Sequence, residues 1–87
     1  MGTASILVVD DERKIRDLVR SYLERDGYSV LVADTGQRGL ELSMRADPDL
    51  VVLDLMLPDI TGEEVARSVR EVSEVPIITD TSFHFIR

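Results

Sequence analysis

The chain has 87 residues, with 10 Lys+Arg against 17 Asp+Glu, a formal charge of −7, and no cysteine. That length holds one domain, spanning residues 1–87, whose core sits near the lower limit for independent folding, because only about 64% of the unfolded surface would be buried. The missing cysteines exclude disulfides, thiolate metal sites and cysteine nucleophiles, and the negative charge without a basic stripe argues against direct binding of nucleic acid.

The first element is Ile6-Leu7-Val8-Val9, an apolar run that ends in Asp10-Asp11-Glu12. A run without polar alternation suits a strand buried on both faces, as in a parallel sheet covered by helices. Ile15, Leu18, Val19, Tyr22 and Leu23 then fall on one helical face, and Gly27 stands where a left-handed C-terminal cap belongs, so the spacing predicts a helix over 12–26. Tyr28 to Ala33 reads as the second strand. Thr35 is the N-cap of a weaker helix to about Arg45, in which Gly36 and Gly39 each cost up to ~1 kcal/mol relative to Ala.

Asp47-Pro48-Asp49 stops that helix, and Leu50-Val51-Val52-Leu53 forms a third apolar strand that ends in Asp54. Beyond the turn at Pro58 to Ile60, Thr61-Gly62-Glu63-Glu64 reads as a capping box. Val65, Ala66, Val69 and Val72 supply the apolar face of the helix that follows. Pro76-Ile77-Ile78 opens a fourth strand, into which Asp80 places a carboxylate; the expectation is that this strand ends early or that the tail leaves the sheet. The order βαβαβαβ with short connections predicts an α/β fold with a right-handed, doubly wound parallel sheet. Apolar runs of about four residues are far short of the ~20 that span a bilayer. The opening residues lack the basic and apolar segments of an export signal, so a cytoplasmic protein without a membrane partner is expected.

In such sheets ligands bind beyond the carboxyl ends of the strands. Asp10 and Asp11 follow the first strand and Asp54 follows the third, so neighbouring strands would bring three carboxylates together, and their repulsion calls for protonation or a cation. Oxygen-only ligands favour Mg²⁺, with Mn²⁺ the alternative, over Zn²⁺. The competing reading makes Asp10 to Glu12 the solvated first turn of a helix, favoured by its dipole. A carboxylate at the end of a second, independent strand weighs against it.

Ile6 to Glu12, Pro48 to Pro58 and Val75 to Ile78 together resemble the successive motifs of receiver domains of two-component response regulators. The likeness is collinear over residues 4–78, leaves a divergent tail over 79–87, and is strongest to receivers that precede winged-helix DNA-binding domains. It implies a flavodoxin- or CheY-like sheet of order 2-1-3-4, cut short after the fourth strand and so lacking the fourth helix, the fifth strand with its lysine, and the fifth helix. By the same resemblance Asp54 accepts a phosphoryl group from a sensor histidine kinase, Asp11 and Asp10 hold Mg²⁺ together with Asp54 and the Met56 carbonyl, and the switch hydroxyl falls on Thr81 rather than Thr79, with Ser82 after it. Lys14, the chain's one lysine, sits early in the first helix and cannot take the fifth-strand position.

Two further readings remain open at this stage. One is a catalytically poor fragment that self-associates through the fourth-strand edge or through apolar surface beside the first helix, with Phe83, Phe85 and Ile86 taking part and His84 incidental. The other is a haloacid-dehalogenase-like hydrolase, against which stands Met56 where that family has a second acid.

Overall fold

A computed structural model describes residues 3–79 of the chain. Seven elements alternate: β1 (Ser5–Val9), α1 (Arg13–Arg25), β2 (Ser29–Ala33), α2 (Gly36–Arg45), β3 (Leu50–Leu53), α3 (Gly62–Arg70) and β4 (Ile77–Thr79). The four strands form one parallel sheet in the order β2-β1-β3-β4, as the α/β reading requires. Val9 stands beside both Ala33 and Leu53, and Leu53 beside Thr79, so the carboxyl ends of the strands are nearly level.

Side-chain alternation divides the core in two. Leu7, Val9, Ala33, Val51 and Leu53 point to one side, where Val65 and Val69 of α3 and Leu40 and Leu42 of α2 meet them. Ile6, Val8 and Val30 point to the other, under Val19 and Leu23 of α1. Continuous apolar strands are what a sheet covered on both faces selects.

The helix ends follow local chemistry. Gly27, at φ +96°, closes α1: its N–H reaches the Glu24 carbonyl and the Tyr28 N–H reaches the Leu23 carbonyl, the paired bonds of a Schellman motif. Thr35 Oγ1 accepts the Arg38 N–H, and Thr61 Oγ1 accepts the Glu64 N–H, both at 3.1 Å. Asp49 ties the amino ends of β1 and β3 together, its Oδ2 accepting the Ser5 N–H and its own N–H donating to the Ser5 carbonyl, each at 2.8 Å.

Three residues assigned to buried helix faces are exposed. α3 ends at Arg70, so Val72 lies past its last turn and is 66% exposed. On α1 only Ile15 is fully buried, while Leu18 is 40% and Tyr22 59% exposed. The helix lies over β1 and β2, and these two side chains sit on the flanks of its apolar stripe, with the Arg25 guanidinium 5.7 Å from the Tyr22 ring centroid. Lys14 is exposed on α1, as a solvated helix residue. Asp80, Thr81, Ser82, Phe83, His84, Phe85 and Ile86 lie outside the described residues. Among the described residues no helix is long and apolar enough to cross a membrane.

Candidate functional site

The sheet's hydrogen-bond ladder runs one residue past β1 and β3. The Asp10 N–H donates to the Ala33 carbonyl at 3.1 Å, and the Asp54 N–H to the Val9 carbonyl at 2.9 Å. Both aspartates are thereby fixed at adjacent strand ends, and both are buried. Each also turns the chain that follows: Asp10 Oδ1 accepts the Glu12 N–H at 2.8 Å and Asp54 Oδ1 accepts the Met56 N–H at 3.0 Å. Carboxylates bonding two residues ahead are Asx-turns, which redirect a backbone without glycine.

Asp11 is exposed beside them, and one carboxylate oxygen from each of Asp10, Asp11 and Asp54 lies within 4.8 Å of the others. The spacing therefore brings together the three acids that the sequence pattern singles out. Two unit charges at that distance repel by about 3–4 kcal/mol at an effective dielectric near 20. Such a concentration of negative charge at the end of an apolar sheet favours a bound cation. All three donors are hard oxygens, and an octahedral Mg²⁺ with bonds of about 2.1 Å places opposite ligands about 4.2 Å apart. The donor set suits that ion, which would draw adjacent ligands to about 3.0 Å of one another.

The walls of the pocket are held by close backbone approach. A Cβ on Gly62 would lie 2.5 Å from the Asp54 carbonyl oxygen and 2.7 Å from Leu55 Cα, so the first residue of α3 can only be glycine at this separation. The Gly62 N–H donates to the Leu55 carbonyl at 3.2 Å. On the other side Arg16 Nη1 donates to the Asp10 carbonyl at 2.9 Å, fastening the first turn of α1 to the end of β1. Met56, at the start of the loop after β3, projects an exposed side chain while its N–H is held by Asp54.

Two contributors escape a residue-by-residue reading of the sequence. Arg16 looks like any solvated helix arginine, and its contact to a main-chain carbonyl depends on how α1 docks. Asp59 looks like a turn residue, yet its carboxylate binds the first two amides of α2, more than twenty residues earlier in the chain. Thr81, the proposed switch hydroxyl, lies outside the described residues.

Comparison with known proteins agrees with this geometry. The response regulator receiver domain family matches residues 6–85. The chain is 47% identical over 77 residues to the transcriptional regulatory protein ResD of Bacillus subtilis and 44% identical over 77 residues to SrrA of Staphylococcus aureus, matches that cover 88% of this chain. It spans about a third, 32%, of the length of either relative. Among solved structures, the Vibrio cholerae chemotaxis protein CheY4 superposes with a TM-score of 0.85 at 33% identity, over 90% of this chain and 68% of that one. The response regulator TrrA of Thermotoga maritima, determined in complex with Mg²⁺–BeF, gives a TM-score of 0.77 at 40% identity, over 79% of this chain and 60% of that one. With strand order, acidic pocket and sequence in agreement, the chain belongs to the receiver domain family of two-component response regulators.

Proposed function

We propose that this chain, as one cytoplasmic receiver unit, accepts a phosphoryl group on Asp54 from a sensor histidine kinase in a Mg²⁺-dependent step. Receiver domains generally bind Mg²⁺ at an acidic pocket and interact with histidine kinases. The observation that carries the reading is the meeting of the Asp10, Asp11 and Asp54 oxygens within 4.8 Å at the carboxyl end of the sheet. In the transfer an ionised Asp54 oxygen forms a bond to phosphorus as the phosphorus–nitrogen bond of a phosphohistidine breaks, and the leaving imidazole takes up a proton. A bound Mg²⁺, held by Asp10, Asp11, Asp54 and the Met56 carbonyl, would neutralise the phosphoryl oxygens and hold them in line. Asp54 Oδ1 accepts the Met56 N–H, which orients the carboxylate on its strand end. Thr81 is assigned the hydroxyl contact to the transferred group.

Incubation with Mg²⁺ and acetyl phosphate is expected to add about 80 Da to the intact mass, and the adduct is expected to vanish in Asp54→Asn. A wild-type chain that binds Mg²⁺ but gains no mass would overturn the phosphoacceptor role.

A second reading, a module that associates with a second copy of itself through the β4 edge or the α1 side of the sheet, is favoured by the exposure of Ile78, Leu18 and Tyr22. Sedimentation at tens of micromolar tests it: a dimer supports it, and a monomer excludes it.

A further inference from the structure

The loop that follows β3 is anchored at its far end by Asp59. Its Oδ1 accepts the Gly36 N–H at 2.8 Å and its Oδ2 accepts the Gln37 N–H at 2.9 Å. These are the first two amides of α2, which a helix leaves without acceptors of its own. Thr35 Oγ1 takes the third, from Arg38, so a local cap and a distant carboxylate divide the helix end between them. The carboxylate also meets the positive end of the helix dipole. Desolvation by burial raises the Asp59 carboxyl, but the backbone hydrogen bonds from Gln37, Gly36, Ile60 and Asp59 itself outweigh it and hold the group below its ordinary value of 3.8.

Packing repeats the attachment. A Cβ on Gly36 would lie 2.5 Å from Ile60 Cγ1 and 3.0 Å from Val65 Cγ2, so the loop rests directly on the α2 backbone. One turn later a Cβ on Gly39 would lie 2.7 Å from Val9 Cγ2, and Val9 immediately precedes Asp10. The helix is thus braced between the end of β1 and the loop that leaves Asp54.

We propose that Asp59 is a positioning residue for the acidic pocket. By clamping the loop over 55–61 to the first turn of α2, it holds the Met56 main chain, and through it the Asp54 carboxylate, at the spacing that cation binding requires. This rests on the reading of the three aspartates as a Mg²⁺ pocket. A purely structural Asp59 would only cap α2, and Thr35 separates the two roles because it caps the same helix end with its own side chain from outside that loop.

The test is calorimetric titration of Mg²⁺ into the wild-type chain, Asp59→Ala, Asp59→Asn and Thr35→Ala, with far-UV circular dichroism for folding and amide exchange at Gly36 and Gln37 for the clamp. Asp59→Ala is expected to weaken Mg²⁺ binding about tenfold. Asp59→Asn, which keeps one acceptor oxygen, should fall between that and wild type, and it decides the matter if Asp59→Ala does not fold. Thr35→Ala should stay within about twofold of wild type. Faster exchange at Gly36 and Gln37 with unchanged Mg²⁺ affinity in folded Asp59 variants would overturn the proposal, as would an equal loss of affinity in Thr35→Ala. A wild-type chain that takes up no Mg²⁺ would overturn the metal reading beneath it, and the proposal with it.

Discussion

The two faces of the sheet are built from the same four strands and packed differently. On the side covered by α2 and α3, Leu7, Val9, Ala33, Val51, Leu53, Val65 and Val69 are all buried. On the α1 side Ile6, Val8 and Val30 are buried, but Leu50 and Val52 are only partly covered and Ile78 is 51% exposed. Two helices close the first face, α2 over β1 and β2 and α3 in the cluster that holds Val51 and Leu53 of β3; one helix closes the second, over β1 and β2. The glycines at 36, 39 and 62 all serve the first face, where they bring α2 and α3 against the strand ends and the loop beside Asp54. The loop beside Asp54 therefore takes its geometry from the doubly covered side, which has the least room to relax, while Arg16 of α1 fastens the end of β1 from the other.

Substitutions can break that contrast or sharpen it. Leu53→Ala empties the centre of the closed face and is expected to cost about 2–5 kcal/mol, enough to unfold much of a marginal domain, as read by urea titration with circular dichroism. Gly39→Ala drives a methyl group into Val9 and should cost about 1–3 kcal/mol in the same assay, with a weaker Mg²⁺ site because Val9 adjoins Asp10. Ile78→Ser, on the open side, should stay within about 0.5 kcal/mol. A loss there as large as that of Leu53→Ala would mean that the α1 side is covered in solution, and the contrast would fail.

The smallest effect concerns acidity. Because the folded Asp59 carboxyl is held below 3.8, its clamp stabilises the chain fully above that pH, and the stabilisation fades as pH falls through the lowered folded value. The melting temperatures of wild type and Asp59→Asn should therefore differ near pH 6 and converge as the pH drops below 3.8. A gap that stays constant down to strong acid would show that the charge of Asp59 contributes nothing.

What the sequence makes legible is what local chemistry decides. The apolar runs mark the strands, Gly27, Thr35 and Thr61 mark helix ends, and the acids after Val9 and Leu53 mark the pocket, since a buried strand that terminates in a carboxylate carries its own directional signal. Gly36 and Gly39 read only as a cost to helix propensity. Their benefit, room for Ile60 and Val9, exists only once the elements are docked. Asp59 is silent for the same reason, because its partners lie 22 and 23 residues away. Leu18 and Tyr22 share the helical period of Ile15, but periodicity reports a face and not the width of the sheet beneath it.

Asp49 closes the amino ends of β1 and β3 across 44 residues. On a ribosome that adds about 5–20 residues per second, β1 emerges roughly 2 to 9 s before the strand that completes its central place in the sheet. During that interval Leu7 and Val9 have no neighbour on the β3 side, and the half-made sheet offers a template to any other nascent chain.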